Sequence, residues 1–553
     1  MKRFFIAILA LAALPLSPSE ACTNLLITKG ASTDGSVMIT YAADSHVLYG
    51  ELYKYNAPQT PYPVGALMSV YEWDTGKFLG RIPQVANTYS TVGNMNEHQL
   101  IIAESTFGGR SELYDPNGGI DYGSLIYITL RRAKTAREAI RIITDLANEH
   151  GYCSSGESIS IGDANEVWIL ELIGKGERIV DGRNVNKGIV WVAMRIPDGY
   201  VSAHANHARI TQFPKDDPEN CLYSPDVISF AREAGYYNGS DNDFSFSDAY
   251  APLDFSAMRA CEARVWSFFN SVASGMEKYL DYAMGYNADN RMPLWIKPDE
   301  KLSPKRVMDA MRDHYEGTPM DMTRDIGAGG ERTPYRWRPM QFEVDGVEYV
   351  NERAIATQQT GFWFLGQARG WLPDAIGGIL WFGVDDAGTS CLTPVYCSVT
   401  DVPECFRTGN GSLLEYSATS TFWIFNRVAQ FAYLRYQTVG KEVRNVADMW
   451  ENDHLERVRQ IDAEALALSD PRPLLTQYST ATAQRLFDLW NDLDKYLMVK
   501  YIDGNVKREN ERGFMDNGYD RNIPAAPLQP GYSEEWKRAV ATDAGERLKV
   551  VDY

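Results

Sequence analysis

The sequence predicts a layered α/β fold with a mainly helical C-terminal region, and three observations carry that expectation. Short apolar runs between turn-forming residues recur from Cys22 to Ala205 and read as buried strands. A helix signal at Thr135-Ala136-Arg137-Glu138 interrupts them, and strands followed by a helix and further strands favour layers over a bundle. From about residue 420 onward the apolar spacing becomes mainly helical.

The chain opens with Lys2 and Arg3, an apolar run from Phe4 to Leu16 broken by Pro15, and then Ser19-Glu20-Ala21. Small residues at the −3 and −1 positions are what signal peptidase reads, so residues 1–21 are expected to be a signal peptide. The apolar run is too short for a lasting membrane anchor. A cut after Ala21 makes Cys22 the first residue and puts a thiol and a free α-amine on one residue. The amine titrates at about 7.7–8.0 and the thiol at about 8.5, so near neutral pH one can take the proton of the other. Such amines activate nucleophiles for acyl transfer. On the local sequence three readings of Cys22 stay open: this nucleophile, half of a disulfide, or a lipidated cysteine. The last fits Ser19 and Glu20 poorly, since a lipobox usually has an aliphatic residue at −3.

Cys22–Thr28 and Val37–Tyr41 read as two strands around a Gly- and Ser-rich turn, a hairpin that holds Cys22 at the end of a sheet edge. Asn96-Glu97-His98-Gln99 is a turn into the strand Leu100–Ala103, and structural turn roles are expected for Glu97 and Glu104. Thr135 to Glu138 has capping-box spacing. Ala139, Ile142, Ile143 and Leu146 continue it as a helix to Gly151. Ser158–Gly162 and Val167–Leu172 are strands around Asp163–Glu166, Tyr200–Ala205 is another, and Trp381–Val384 is a further candidate. Residues 215–250 read as a polar surface excursion and residues 316–345 as an irregular loop. Leu486, Leu489, Trp490, Leu493 and Leu497 form one apolar helix face, and the chain after about Asn505 reads as a polar tail.

Removal of residues 1–21 leaves 532 residues and moves the formal charge from −19 to about −20. That balance argues against nucleic acid and anionic membrane surfaces as partners. No other stretch is apolar enough to span a membrane. Seven cysteines, with Cys22 as the odd one, leave room for up to three disulfides in an exported protein. Cys391, Cys397 and Cys405 lack a Cys-x-x-Cys spacing and a nearby His, and His204 and His207 lack a third ligand, so no metal is expected. There is no P-loop, dinucleotide fingerprint, His-Glu-x-x-His or Gly-x-Ser-x-Gly.

Cys22-Thr23-Asn24-Leu25-Leu26-Ile27, with Ser32-Thr33-Asp34-Gly35-Ser36, resembles the start of the N-terminal-nucleophile (Ntn) cysteine dipeptidases, the dipeptidase/secernin family. Further matches follow in order: Met95–His98, Glu104–Gly109, Asp121–Leu125, Gly156–Ser158, Ala203–Ile210, Arg264–Trp266, Glu316–Asp321 and Trp381–Asp386. The resemblance implies an α+β fold, a four-layer αββα Ntn-hydrolase sandwich. Its catalytic domain would span residues 22–420, with a mainly helical region at 421–553 packed on it. It also implies hydrolysis of dipeptides without a cofactor or metal, and with the signal peptide it makes the expected protein an exported, periplasmic or secreted bacterial enzyme. Related bile-salt hydrolases and penicillin V acylases make non-peptide amides the alternative substrates, and a surface lipoprotein or binding module is the non-enzymatic alternative. Homo-oligomerisation is left open.

Carried over position by position, the resemblance makes Cys22 the nucleophile and Asp44 the carboxylate that holds it. Asn206 becomes the side-chain oxyanion donor, Thr106 the place of a backbone N–H for the same oxyanion, and Arg264 the arginine near the nucleophile. Each also has an ordinary structural use: a hairpin cap for Asp44, backbone satisfaction for Asn206, a salt bridge for Arg264. One position departs from the pattern. The relatives usually carry Arg-Asn three and two residues before the aspartate, where this chain has Tyr41-Ala42-Ala43-Asp44. Either Arg264 supplies the missing charge or Tyr41 marks a different thiol environment.

Overall fold

The computed structural model describes residues 22–511, 513–515 and 527–551; the expected signal peptide lies outside them. The strands that matter for the site are β1 (Asn24–Ile27), β2 (Val37–Asp44), β3 (Ile101–Gly108), β4 (Gly156–Gly162), β5 (Val167–Gly174), β6 (Ile189–Arg195), β7 (Val201–His204), β8 (Thr360–Ala368), β9 (Gly378–Val384) and β10 (Thr393–Tyr396). The main helices are α1 (Tyr122–Leu130), α2 (Ala136–His150), α3 (Ala263–Val272), α4 (Thr421–Leu434), α5 (Lys441–Leu466) and α6 (Arg472–Tyr501).

Two antiparallel sheets dominate. One has seven strands in the order Trp295–Ile296, β7, β1, β2, β8, β9, β10. The other has eight, with β6, β5, β4 and β3 as consecutive neighbours. β2 and β1 face β3 and β4 across the space between the sheets. Strand alternation divides the side chains accordingly: Ile101 and Ala103 of β3 point into the core between the sheets, whereas Leu100 and Ile102 meet Leu125, Ile140 and Ile143 of α1 and α2. On the far side of the seven-stranded sheet, α6 packs on β10 and on α4, where Trp490 stacks on Phe425 at 4.5 Å. The molecule is a mixed α+β structure with antiparallel sheets and a helical C-terminal region.

The local signals read from sequence have clear physical counterparts. The Thr135 side chain accepts from the Glu138 N–H and starts α2, which ends at Gly151 with φ 84°. Leu486, Trp490, Leu493 and Leu497 form the buried stripe of α6. Two expectations are corrected. Residues 215–250 are not merely a surface excursion: they hold a strand, Cys221–Tyr223, and two short helices, Val227–Glu233 and Phe246–Tyr250. Phe244, Phe246 and Tyr250 are buried there, because the aromatic residues of this polar stretch gather to one side. β1 is also not at a sheet edge; it is paired on both sides, with β7 and with β2. The cysteines form no disulfide among the described residues, and all seven are free thiols. Among those residues no helix is long and apolar enough to cross a membrane.

Candidate active site

Cys22 lies two residues before β1, and the backbone that follows it is anchored on both sides. Thr23 exchanges both backbone hydrogen bonds with Ala42 at 3.3 and 3.0 Å, and Asn24 lies opposite His204 of β7. Cys22 is 3% exposed, and its Sγ lies 3.6 Å from the Tyr41 hydroxyl and 3.6 Å from Glu104 Oε1. Tyr41 also donates to Glu104 Oε1 at 2.5 Å. Phe362 and Phe364 hold the Tyr41 ring edge-on at 5.7 Å each. The turn role expected for Glu104 is therefore wrong. It extends the Leu100, Ile102 face of β3 and ends on the thiol, whereas Glu97 does serve its turn by accepting from the Ser90 N–H. A carboxyl directly after a buried apolar run is expensive to bury, and that is the sequence signal that marks it.

Arg264, from the first turn of α3, is the hub of the opposite side. Its Nη1 donates to the Cys22 carbonyl and to Thr23 Oγ1, each at 2.8 Å. Its Nη2 donates to the Ala205 carbonyl at 3.1 Å and to Asn206 Oδ1 at 2.9 Å. Because the guanidinium takes Oδ1, the amide of Asn206 is forced to turn its Nδ2 toward β3, where it donates to the Thr106 carbonyl at 2.7 Å. Asn206 has φ 62°, a left-handed conformation that asparagine tolerates better than most residues. Behind it His204 bridges Ser105 and Ser160, with 2.6 Å to each hydroxyl, and ties the two sheets together. Burial holds the His204 pKa down at about 3, so the ring is neutral.

Asp44, at the end of β2, is fully buried and lines the same pocket as Cys22. Its carboxylate is held by Arg353 Nη2 at 2.5 Å and by Thr360 Oγ1 at 2.6 Å, directly across from it on β8. Burial raises its pKa, against the pull of Arg353. So of the five predicted site residues, Cys22, Arg264, Asn206 and Thr106 form one hydrogen-bonded chain. Asp44 borders the pocket through a pair with Arg353 that local sequence did not announce. The position usually held by arginine carries the Tyr41–Glu104 pair instead, and Arg264 faces the Cys22 carbonyl.

The pocket encloses about 290 Å³. Its wall includes Tyr53, Trp73, Tyr122, Tyr127 and Phe362, and Trp73 stacks on Tyr127 at 4.2 Å. Gly123 permits this packing, since a Cβ there would lie 2.4 Å from the Trp73 side chain. The lining includes three carboxylates, Asp44, Glu51 and Asp74, and no Lys, Arg or His. Asp74 accepts from the Tyr122 hydroxyl at 3.0 Å, and Glu51 accepts from the Gly409 N–H at 2.9 Å. A larger, more open cleft of about 1000 Å³ runs past His207 and Arg209, and no cysteine lines it. Asp309, Asp448 and Glu451 lie close enough to hold a cation, yet Lys305, Arg312 and Arg444 already pair with them.

The family model for Peptidase family C69 matches residues 21–449. A "Probable dipeptidase" of Latilactobacillus sakei is 22% identical over 499 residues, covering 85% of this chain and 95% of that protein. "Dipeptidase A" of Lactobacillus helveticus is 24% identical over 464 residues, covering 80% and 87%. Among solved structures, penicillin V acylase from Agrobacterium tumefaciens aligns over 68% of this chain and 86% of its own, at 12% identity and a TM-score of 0.27. With a buried cysteine at the start of the matched region, and the match spanning most of its length, the chain belongs to peptidase family C69.

Proposed function

We propose that this chain, once residues 1–21 are removed, hydrolyses dipeptides with a free N-terminal amine through the thiol of Cys22. The observation that carries this reading is the charge of the pocket beside the thiol: three carboxylates, no cation and an aromatic wall. A dipeptide presents an ammonium one carbon from its scissile carbonyl, and carboxylates and aromatic faces are what receive it. An N-acylated substrate lacks that cation. Arg353 engages Asp44, which leaves Glu51 and Asp74 as the groups for the ammonium.

In the proposed reaction the α-amine of Cys22 takes the thiol proton as sulfur attacks the carbonyl carbon. Asn206 Nδ2 and a backbone N–H near Thr106 stabilise the oxyanion, one such donor contributing about 3–4 kcal/mol. The ammonium then passes its proton to the departing amine and leaves a thioester. Water, deprotonated by the same amine, cleaves the thioester and restores the thiol. We place this chemistry in a four-layer αββα Ntn-hydrolase domain at residues 22–420, with 421–553 packed on it, in an exported periplasmic or secreted protein.

The test is turnover by protein that begins at Cys22, with one dipeptide supplied free and N-acetylated, beside penicillin V and a bile salt. Hydrolysis of the free dipeptide alone, abolished in Cys22→Ala, is the expected result. Preferred hydrolysis of the acylated amides, or full activity of Cys22→Ala, would overturn the proposal.

A further inference from the structure

The pair that stands where an arginine is usual has no assigned role. Glu104 is 1% exposed on β3, and one oxygen, Oε1, receives both Cys22 Sγ at 3.6 Å and the Tyr41 hydroxyl at 2.5 Å. Its other oxygen, Oε2, is buried. No Lys or Arg pairs with this carboxyl among the described residues. Its remaining neighbours are acidic or phenolic. Glu157 of β4 shares a hydrogen bond with it, Asp74 faces it from the pocket wall, and Tyr127 of α1 is close enough to be affected by its charge. Tyr122 of α1 bears on Tyr41, and Arg264 bonds the Cys22 carbonyl rather than the sulfur. Glu157 in turn accepts from Thr106 Oγ1 at 2.8 Å, and the Thr106 carbonyl receives Asn206. One chain of contacts therefore runs from the thiol through Glu104 and Glu157 to the proposed oxyanion side.

We propose that Glu104 and Tyr41 are positioning residues that orient the Cys22 thiol and govern its ionisation. This rests on Cys22 as the nucleophile but goes beyond it. A carboxylate that accepts the S–H proton fixes the rotamer of the sulfur, and its charge opposes formation of a thiolate beside it. Burial raises the Glu104 pKa, against the hydrogen bonds from Glu157, Tyr41 and Cys22 that favour its charged form. Tyr41 anchors that charge at Oε1. The arrangement leaves proton removal to the α-amine of Cys22 rather than to a standing thiolate. It is the opposite of an arginine, which would stabilise the thiolate.

The test uses protein beginning at Cys22 and measures the rate of Cys22 alkylation by iodoacetamide across pH, read on the N-terminal peptide by mass. The profile of kcat/KM for a dipeptide is recorded beside it. Burial holds Cys153, Cys221 and Cys397 up at about 12 and Cys405 at about 11, so these thiols do not interfere. In Glu104→Gln the alkylation midpoint should move toward acid by about one pH unit, because a like charge beside the thiol is gone. Glu104→Asp, which keeps the charge, should stay near the wild-type midpoint while kcat falls. Tyr41→Phe removes a donor that favours the charged form of Glu104 and should move the midpoint in the same direction, toward acid. Coincident midpoints for wild type, Glu104→Gln and Tyr41→Phe would overturn the proposal, even in an enzyme whose turnover depends on Cys22. Full turnover by Cys22→Ala would instead remove the nucleophile assignment, and the alkylation titration would still report on Glu104.

Discussion

Replacing Arg264 by lysine keeps a positive charge at the site but removes the fork that organises it. The guanidinium serves five acceptors at once: the carbonyls of Cys22, Ala205 and Ala260, Thr23 Oγ1 and Asn206 Oδ1. A single ammonium cannot reach them all from one position, and the planar geometry that fixes Asn206 is lost. Two buried acceptors left short of a donor cost about 2 kcal/mol of stability in total, at about 1 kcal/mol each. The larger effect is on catalysis. In the proposed mechanism Asn206 is an oxyanion donor; without Arg264 on Oδ1 its amide can flip, and loss of one such donor lowers kcat by about 100- to 1000-fold. KM for the dipeptide should change little, since Glu51 and Asp74 lie in the pocket wall away from this hub. The assay is steady-state hydrolysis of a dipeptide with a urea melt of the same preparation. A folded Arg264→Lys variant with kcat within about threefold of wild type, a barrier change under 1 kcal/mol, would refute the argument.

Other predictions follow from the same geometry. Asp74→Asn should raise KM for a free dipeptide by about tenfold or more while kcat holds, as expected for loss of a charge-assisted contact made equally in ground and transition states; a fall in kcat with KM unchanged would count against an ammonium site there. Cys22→Ser should keep only a trace of activity, because a hydroxyl is a poor nucleophile for a weak amine base, and near-wild-type turnover would contradict the thiol mechanism. His204 gives a pH signature of stability. Its folded-state value is lowered to about 3 from an ordinary 6.5, so below pH 6.5 the unfolded chain binds a proton that the folded one does not. Stability is complete above pH 6.5 and falls by about 1.4 kcal/mol per unit as the pH drops toward 3, or about 2 kcal/mol by pH 5. His204→Gln should lose that part of the pH dependence in urea melts at pH 7 and 5, and an unchanged slope would remove His204 as its source.

Much of the fold was legible locally because its causes are local. The run Val37–Tyr41, the capping residue Thr135 and the stripe through Trp490 each specify an element from within a few residues. The polar stretch 215–250 misled because its few aromatic residues decide its burial, and composition averages them away. Asn206 and Arg264 were found only because their surrounding motifs match a family. Their joint work on the Cys22 carbonyl and the Thr106 carbonyl spans separations of 242 and 100 residues. Alternation along β3 says that Glu104 shares a face with Ile102, but not what lies opposite that face.

By itself the sequence determined the strands and helices, the acidic balance, and a cysteine placed where removal of 21 residues would free its amine. It determined these because periodicity, capping and cleavage signals act over one turn of helix or a few residues of chain. Only the tertiary structure decided that Glu104 and Tyr41 meet at the thiol, that Arg353 takes Asp44 from 309 residues away, and that Glu51 and Asp74 line one pocket. Such contacts depend on which sheet faces packed against which. That choice is made by the burial of two whole sheets together, and no single segment encodes it.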